Sequence, residues 1–355
     1  MKDSEICVLI AGVGGGTPGR ELIKAFKIAK HKYKIVVTDM YKDSIGLFET
    51  QHKYVIPPVS SSDYIDSLLK ICKKEGVQVL TTGSAAELEK VAKNAKIFEE
   101  QGIKLLMNPY NVIERCMNKY TLMNYLTSKG IKCPKYFLYQ QDSDIKNIES
   151  YPVVIKPTIG SGSRNVFVAQ DKDEALFFSN YLIKYGFEPL IQEYIGSHEE
   201  EYTVGVVYAD SGRLSNSIAM KRTLSHGFST GQTVDDIKSG KRYIISSYIS
   251  EGFFDEFIEV RKISEKISQV LEAHGPINVQ CRKTDAGIFP FEVNPRFSAT
   301  IGARSLVGFN EPDIFCRYLL FDEIPHDVNY KHGYVIRDLH EKYLSIQDVS
   351  GVIQL

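Results

Sequence analysis

The sequence lacks the features that assign a chain to several large classes of protein. Its 355 residues carry a formal net charge of −1, so there is no overall field to attract nucleic acid or an anionic membrane. The 6 cysteines are scattered without a C-x-x-C pair or His-rich spacing, which excludes the common zinc motifs and indicates free thiols in a reducing cytoplasm. The apolar run Ile6–Ile10 is too short for a signal peptide or a membrane span. We therefore expect a cytoplasmic protein with no nucleic-acid or membrane partner.

Internal repeats, low-complexity segments and a G-x-x-x-x-G-K-S/T phosphate loop are also missing. Apolar residues make up 43% of the chain and charged residues 25%, which is the balance of an ordinary globular protein. The length is enough for two or three packed units of roughly 100–200 residues each. The chemistry of the chain must therefore be sought in local clusters of polar residues.

Residues 5–108 alternate between short apolar runs and amphipathic segments. This order predicts a parallel sheet with right-handed crossovers. The predicted elements are strands at 6–10, 34–38, 77–81 and 103–107, and helices at 20–30, 63–74 and 85–100.

A glycine-rich turn, Gly12–Gly19, follows the first predicted strand and allows two interpretations. Such a turn can bind phosphate on its backbone amides, and Asp39 lies where an acid would contact ribose in a dinucleotide-binding fold. These features make an NAD-dependent oxidoreductase one alternative. Pro18 interrupts that motif and its third glycine is misplaced, so a small-molecule site or a plain tight turn is favoured. Residues 82–84, at the end of a neighbouring strand, are expected to face the same crevice.

The stretch Gly275–Thr300 carries the most informative polar residues. Alternating apolar and polar positions on either side of a D-A-G turn predict two paired strands. Gln280, Glu292 and Asn294 then converge on one side of the pair. Their amide and carboxylate oxygens suit a hard cation such as Mg²⁺, which usually keeps phosphate oxygens as partners. Arg296 offers a bidentate contact for a carboxylate or a phosphoryl group.

A second informative region lies between residues 151 and 169. The run Y-P-V-V-I-K-P predicts a buried strand that ends near Lys156, and a Gly-Ser loop separates it from a further short strand. The backbone amides of such a loop can surround phosphate oxygens. The loop residues are Gly160, Ser161, Gly162 and Ser163.

The motif N-V-Q followed by F-E-V-N-P-R, with V-I-K-P and its Gly-Ser loop, resembles the ATP-grasp ligases, especially the carbamoyl-phosphate synthase large-chain type. The resemblance extends over nearly the whole chain. It implies an α/β fold, α+β in the ATP-grasp lobes, with a Rossmann-like N-terminal domain followed by a two-lobed ATP-grasp fold. The expected domains are residues 1–109, a small lobe at 110–190 and a large lobe at 191–355. We expect the tail from Tyr330 onward to complete the last unit with short strands.

The resemblance also assigns residues to an ATP site. Lys119 and Lys156 match the two cations on either side of the nucleotide phosphates, and the Gly-Ser loop covers those phosphates. The segment Q-E-Y-I matches the hinge that binds adenine, and Glu201 matches the carboxylate that accepts the ribose hydroxyls. The hinge residues are Gln192, Glu193, Tyr194 and Ile195.

The metal and substrate sites follow from the same resemblance. Gln280, Glu292 and Asn294 match metal ligands, and two Mg²⁺ ions are expected, with Mn²⁺ as a substitute. Arg296 and Asn294 are expected to act on the transferred group. Lys221 is expected to bind a carboxylate or an acyl phosphate, together with the arginine that follows it.

A polar loop, S-H-G-F-S-T-G-Q-T, is similar to the I-H-T-G stretch of carbamoyl-phosphate synthases, but Ser229 stands where that family has histidine. The histidine lies close to the bicarbonate chemistry of those enzymes. Its absence argues against bicarbonate as the substrate.

The implied function is an ATP-dependent ligase that joins a small-molecule carboxylate to an amine, such as two amino acids, through an acyl phosphate. The alternatives are a carbamoyl-phosphate-synthase-like kinase acting on bicarbonate or another small carboxylate, and a non-catalytic nucleotide-binding protein. Homodimer formation is expected from the resemblance. Gly14, Gly15 and Gly16 are expected to line the pocket for the acceptor or the carboxylate.

Overall fold

The computed structural model describes residues 5–14, 18–236, 239–325, 328–339 and 341–355. Its N-terminal part alternates strands and helices, as the sequence predicts. The strands are β1 (Ile6–Ala11), β2 (Tyr33–Asp39), β3 (His52–Val55), β4 (Val79–Thr82) and β5 (Lys104–Leu105). The helices are α1 (Pro18–Lys27), α2 (Tyr64–Glu75), α3 (Ala85–Lys93) and α4 (Ala95–Glu100).

These strands form a parallel sheet in the order β3-β2-β1-β4-β5. Val8, Leu9 and Ile10 of β1 have no exposed surface because helices pack on both faces of the sheet. The helix predicted at 85–100 is interrupted at Asn94. Its Nδ2 donates a hydrogen bond to Lys90 O at 2.8 Å, and such local bonds compete with helical ones.

The next part is a four-stranded antiparallel sheet with three helices around it. Its elements are α5 (Tyr110–Met117), α6 (Lys119–Ser128), β6 (Tyr136–Leu138), β7 (Val153–Pro157), β8 (Phe167–Ala169), α7 (Lys172–Lys184) and β9 (Pro189–Glu193). The strand order is β6-β9-β7-β8. Helix α7 covers one face through Ala175 and Leu182. Since strand side chains alternate, Lys156 and Gln192 lie on the other face, where they line a cavity.

The remaining strands are β10 (Glu201–Ala209), β11 (Leu214–Arg222), β12 (Thr230–Asp236), β13 (Lys241–Ser246), β14 (Gly252–Asp255), β15 (Gly275–Thr284), β16 (Gly287–Asn294), β17 (Gly333–Val335) and β18 (Ile353–Gln354). The helices are α8 (Ile258–Val270), α9 (Ile301–Leu306), α10 (Glu311–Phe321) and α11 (Ile346–Ser350). The large antiparallel sheet has the order β16-β15-β10-β11-β14-β17, and β12 and β13 form a separate hairpin. In the described ranges, no helix has the length and apolar character that a membrane crossing requires.

The predicted hairpin forms as β15 and β16. Asn278 pairs with Asn294, and Gln280 pairs with Glu292. Because side chains alternate along a strand, these four groups lie on one face of the sheet. A bulge in β16 beside Gln280 shifts the register by one residue, and this shift brings Glu292 rather than Phe291 opposite Gln280.

The C-terminal tail, which we expected to complete the last unit, belongs to two sheets. Strand β17 forms the edge of the large sheet, whereas β18 pairs in parallel with β3 of the N-terminal sheet. Between them, Arg337 donates hydrogen bonds to Ser250 O at 2.9 Å and Ala299 O at 2.6 Å. It also forms an ion pair with Glu21 of α1 at 3.2 Å. The tail therefore connects the first unit to the large sheet.

A buried ion pair lies between the large sheet and helices α9 and α10. Arg304 contacts both carboxylate oxygens of Glu311 at 3.0 and 3.2 Å, and each residue is 1% exposed. Arg304 also donates hydrogen bonds to Thr203 at 3.2 Å and Asn278 at 2.8 Å. Gly205 of β10 makes room for this pair, since a Cβ there would lie 1.7 Å from Glu311 Oε1.

We expect Gly205→Ala to lower the free energy of unfolding by about 3 kcal/mol, because overpacking would force the buried pair apart. Urea unfolding followed by far-UV circular dichroism measures the loss. Ser215→Ala, at an exposed position of β11, is the control, with an expected change within about 0.5 kcal/mol. Equal stabilities for the two variants would contradict the steric argument.

Candidate active site

A cavity of about 730 Å³, part of it open to solvent, lies between the four-stranded sheet and the large sheet. The structure brings every residue that we predicted to contact ATP into its wall, together with Gln280 and Glu292. The predicted ATP contacts are Lys119, Lys156, residues 160–163 of the Gly-Ser loop, residues 192–195 of the hinge, and Glu201.

Two lysines form a cationic part of this first cavity. Lys156 is 4% exposed, and its Nζ donates a hydrogen bond to Gln192 Oε1 at 2.8 Å. Burial, helped by the charge of Lys119 and opposed by Glu292, lowers the pKa of Lys156 to about 7. Burial also lowers the pKa of Lys119, whose Nζ donates to Gly160 O at 2.9 Å. A bound anion would favour the charged form of both lysines.

The Gly-Ser loop is held at both ends. Gly162 has φ 69° and Ser163 has φ 56°, left-handed conformations that turn the chain sharply. Ser163 Oγ donates a hydrogen bond to Ser246 O at the end of β13, at 2.8 Å, while Gly160 O accepts from Lys119. Residues 161–164 line both this cavity and a second one. The loop is therefore part of the wall that the two cavities share.

The hinge, residues 192–195, begins within β9 and lines another part of the first cavity. Gln192 Oε1 is bound to Lys156, while Gln192 Nε2 is buried and has no hydrogen-bond partner among the described residues. The Tyr194 hydroxyl donates to Ile244 O at 3.0 Å and accepts from Ile244 N at 2.8 Å. The guanidinium of Arg282 lies 4.1 Å from the centre of the Tyr194 ring. A buried donor without a partner is costly, so Gln192 Nε2 is available to an acceptor atom of a ligand.

Glu201 is held by two arginines. Its Oε2 accepts hydrogen bonds from Arg282 Nε at 3.1 Å and Nη2 at 2.9 Å, and its Oε1 accepts from Arg222 Nη1 at 3.4 Å. Glu201 is only 1% exposed, so these contacts compensate buried charges of both signs. The geometry shows that Glu201 neutralises the charges of these two arginines. Its contact with a ribose remains a prediction, although it lies in the cavity wall.

Lys221 lies outside both cavities, contrary to our expectation. It pairs with Tyr202 across β11 and β10, and its Nζ forms an ion pair with Glu200. Because side chains alternate along a strand, Lys221 lies on the opposite face from Arg222. The structure therefore contradicts the expectation that Lys221 contacts a substrate carboxylate, and Arg222 is the residue of the two that lines a cavity.

The predicted metal ligands lie together on the face of the hairpin that lines the cavities. Asn294 Nδ2 donates a hydrogen bond to Glu292 Oε1 at 2.9 Å. Gln280 Oε1 accepts from Arg222 Nη1 at 3.2 Å. Burial alone would raise the pKa of Glu292, but two lysines, Asn294 and a nearby arginine hold it below its usual value. Glu292 is therefore ionised and surrounded by donors.

This donor set fits a divalent cation that arrives with phosphate oxygens. In the part of the chain that the structure describes, no three His, Cys, Asp or Glu side chains are close enough to hold a metal. The carboxylate of Glu292 instead shares the site with three cations, which are Lys119, Lys156 and Arg296. Mg²⁺ needs oxygen ligands, and a triphosphate would supply both ligands and negative charge. Gln280 must exchange its guanidinium contact before it can act as a ligand.

A second cavity of about 1290 Å³, also open to solvent, adjoins the first. Arg296 lies in its wall, with Nη1 donating to Phe297 O at 2.9 Å. Of residues 82–84, which we expected to face the crevice beside the glycine-rich turn, Gly83 and Ser84 line the N-terminal unit's side of this cavity, whereas Thr82 is buried and does not. Its other polar lining residues include Thr203, Arg222, Ser250, Asn278, Asn294, Ser298 and Thr300. The two cavities share Gln280, Glu292 and loop residues 161–164.

In the described part of the region where a dinucleotide would bind, the ends of β1 and β4 pack closely on the start of α1. A Cβ on Gly19 would lie 2.2 Å from Gly12 O, and one on Gly83 would lie 2.1 Å from the same oxygen. Asp39, which would contact the ribose of NAD, accepts a hydrogen bond from Ser44 Oγ at 2.7 Å. This packing does not support the NAD-dependent alternative.

The expectation that three glycines line the acceptor pocket can be checked at Gly14. Gly15 and Gly16 lie outside the described residues. A Cβ on Gly14 would lie 3.3 Å from Asp39 Oδ2, and Gly14 lines neither cavity. Pro18, at the start of α1, does line the second cavity.

Sequence analysis missed Arg282 and Arg337. Arg282 lies two residues after Gln280, and the period-two pattern of β15 could have placed it on the same face. Arg337 belongs to no motif, and only the folded chain shows that it binds the carbonyl groups of Ser250 and Ala299, two residues of the second cavity.

A model of the ATP-grasp domain matches residues 116–300, which is more than half of the chain. The chain belongs to the ATP-grasp family. Members of this family are ATP-dependent ligases, and the expected α/β fold class is confirmed. A model of the PylC-like N-terminal domain matches residues 8–106, ahead of the ATP-grasp domain.

Curated relatives of this ATP-grasp chain include carbamoyl phosphate synthase large chains, which confirms the predicted resemblance. The one from Agathobacter rectalis is 23% identical over 310 residues, which cover 84% of this chain and 27% of the relative. The C-terminal section from Aquifex aeolicus is 22% identical over 281 residues, covering 78% of this chain and 49% of the relative. The chain thus spans about a quarter to a half of the length of these relatives.

Solved ATP-grasp structures share the fold. An N5-carboxyaminoimidazole ribonucleotide synthetase in complex with ADP has a TM-score of 0.65 at 18% identity, covering 93% of this chain and 81% of the other. An L-amino acid ligase from Bacillus licheniformis has a TM-score of 0.62 at 14% identity, covering 90% of this chain and 75% of the other.

Proposed function

We propose that this chain is an ATP-dependent carboxylate–amine ligase that forms an amide or peptide bond through an acyl phosphate and releases ADP and phosphate. The observation that carries the proposal is that the two cavities meet at Glu292. On one side lie the two lysines, the Gly-Ser loop and the hinge, and on the other lies Arg296 in a polar wall. A nucleotide in the first cavity would have its terminal phosphate beside an acid bound in the second.

The predicted residues other than Lys221, which lies outside both cavities, have roles in this arrangement. Lys119 and Lys156 bind phosphate oxygens, and hinge residues 192–195 contact adenine. Two Mg²⁺ ions, or Mn²⁺, held through Gln280, Glu292 and Asn294 would neutralise charge on the phosphoryl group. The Gly-Ser loop excludes water, which protects an acyl phosphate from hydrolysis.

The reaction needs no nucleophile from the protein. The substrate carboxylate, held by Arg296, attacks the γ-phosphorus of ATP, and the bond between that phosphorus and ADP breaks. The amine nitrogen then attacks the acyl carbon, and phosphate leaves with the electron pair of the C–O bond. Arg296 stabilises the negative charge that develops on the carboxyl oxygens in both steps.

Bicarbonate is the second candidate substrate, because relatives are named carbamoyl phosphate synthase. Ser229, which replaces the histidine of that family, has no exposed surface, and its Oγ is bound to Glu251 N at 2.7 Å and Glu251 O at 3.1 Å. Ser229 lines neither cavity. This supports a larger carboxylate, such as an amino acid. We further propose, as the family resemblance implies, that the chain acts on small molecules as a cytoplasmic homodimer.

An ADP-release screen tests the proposal. The full chain is incubated with MgATP, one acid at a time and hydroxylamine, which converts any acyl phosphate to a hydroxamate. We expect at least one amino acid to give equal amounts of ADP and hydroxamate, and the screen to require a divalent metal. Turnover with bicarbonate alone would favour the second candidate. ATP binding without ADP release for any acid would overturn the ligase proposal in favour of a nucleotide-binding protein.

A further inference from the structure

Ser84 is the polar side chain through which the N-terminal unit reaches the second cavity. It precedes α3, and its Oγ accepts a hydrogen bond from Glu87 N at 3.2 Å. The same hydroxyl donates to Glu87 Oε2 at 2.9 Å. Because its single hydrogen is committed to Glu87, Ser84 presents a lone pair to a ligand in the cavity. It is therefore suited to accept a hydrogen bond from an N–H group.

Glu87 is a buried carboxyl that hydrogen bonds hold in place. It is 9% exposed, and its Oε1 accepts a hydrogen bond from the Tyr64 hydroxyl of α2 at 3.0 Å. A Cβ on Gly12 would lie 1.7 Å from Glu87 Oε2, so the carboxyl occupies space that this glycine leaves open. Asp39 is the charged group that faces it from β2. No described lysine, arginine or histidine forms an ion pair with Glu87, and its carboxylate accepts hydrogen bonds from the neutral hydroxyls of Ser84 and Tyr64.

The surroundings of Glu87 favour proton exchange near neutral pH. Burial and the charge of Asp39 raise the pKa of Glu87 to about 7, although hydrogen bonds from Ser84 and Tyr64 act in the opposite direction. Burial also raises the pKa of Tyr64 far above its usual value, so that hydroxyl stays a donor. A group with a pKa near the working pH is an effective general base.

The other charged side chains that line the second cavity are mainly cations. Its wall contains Arg164, Arg222 and Arg296, and its one lining carboxylate, Glu292, lies among cations. The Ser84 side is thus the part of the described wall that can accept a proton. An amine substrate must lose a proton before its nitrogen can attack, because an ammonium ion has no lone pair.

We propose that Ser84 and Glu87 form a proton relay that deprotonates the amine substrate, an ammonium compound such as an amino acid. This inference rests on the proposed ligase function. An ammonium N–H donates to Ser84 Oγ, and as Ser84 takes that proton it passes its own to Glu87 Oε2. The products are an uncharged amine, an unchanged serine and a neutral Glu87. The nitrogen then attacks the acyl carbon and loses its second proton to the departing phosphate.

In this relay Ser84 contacts the substrate, while Glu87 acts through Ser84. The test compares two nucleophiles of equal size, hydroxylamine and methylamine, with MgATP and an acid identified by the ADP-release screen. Hydroxylamine is uncharged at neutral pH and needs no base, whereas methylamine is an ammonium ion. We expect Glu87→Gln and Ser84→Ala to lower the rate of N-methylamide formation roughly a hundredfold more than the rate of hydroxamate formation.

The pH dependence separates a relay from a structural role. In the wild type, the ratio of N-methylamide to hydroxamate rates should level off above pH 7, where Glu87 is ionised. In Glu87→Gln the ratio should rise about tenfold per pH unit, following the uncharged fraction of methylamine. The matched control is Glu75→Gln, which removes a carboxyl that also binds a tyrosine, Tyr54, away from both cavities.

Two results would overturn the relay. Equal losses of hydroxamate and N-methylamide in Glu87→Gln and Ser84→Ala would show that these residues only support the fold. Unchanged rates and pH profiles would show that the amine loses its proton elsewhere. Absence of hydroxamate in the wild type with every acid is a separate failure, since it removes the ligase proposal itself.

Discussion

Glu292→Gln should reduce ADP release and product formation by at least about a hundredfold. The substitution keeps the size and one oxygen of the side chain but removes the carboxylate that stands among Lys119, Lys156 and Arg296. A neutral side chain at this position is a poor partner for a divalent metal, so charge on the transferred phosphoryl group is left without compensation.

When metal is absent, the same substitution should not weaken the binding of ATP. Removing a negative charge from a cationic site leaves metal-free ATP binding equal or tighter, and isothermal titration calorimetry in EDTA measures this. Glu259→Gln is the control, because Glu259 is exposed, pairs with Lys283 and lines neither cavity. Near-normal turnover of Glu292→Gln would exclude the metal assignment.

When ATP binds, the protein should take up close to one proton per nucleotide at pH 8 and about a tenth of a proton at pH 6, because Lys156 becomes protonated. The sign follows from its depressed pKa. With a pKa of about 7, Lys156 is mostly neutral at pH 8 and mostly charged at pH 6. Phosphate oxygens favour the charged form and raise the pKa, so binding above pH 7 must be accompanied by protonation. The affinity for ATP should therefore fall as the pH rises above 7.

Calorimetry in two buffers with different ionisation enthalpies measures the proton uptake directly. Lys156→Met should remove this uptake and weaken ATP binding by about tenfold to a hundredfold, since a charge-assisted contact is lost. Lys96→Met, at an 87% exposed side chain, should leave both quantities unchanged. An uptake that is independent of pH, or that persists in Lys156→Met, would assign the proton to another group.

The nucleotide site could be predicted because its residues lie close together in local patterns. The strand that carries Lys156, the Gly-Ser loop and the hinge are continuous segments, and β15 and β16 are joined by a tight turn. A period of two along such strands determines which side chains share a face. The turn alone would place Phe291 opposite Gln280, and a bulge that the sequence pattern does not predict brings Glu292 there instead.

The second cavity could not be predicted in the same way, because distant segments build it. Ser84 comes from the N-terminal sheet, Arg222 from β11 and Arg296 from the segment after β16. The choice between Lys221 and Arg222 depends on the register of β11 against β10, and a shift of one residue exchanges the two faces. Local sequence does not contain that register.

The sequence by itself determined the order of most strands and helices, although not β3, and the hairpin that carries Gln280, Glu292 and Asn294. These features depend on hydrophobic periodicity and turn residues, which act over a few neighbouring positions. Only the tertiary structure decided that Arg222 contacts Gln280, that the tail returns to the first sheet, and that Glu87 stands behind Ser84 with no ion-pair partner among the described residues. Those contacts join residues far apart in the chain, and the packing of the whole molecule sets their distances and their desolvation.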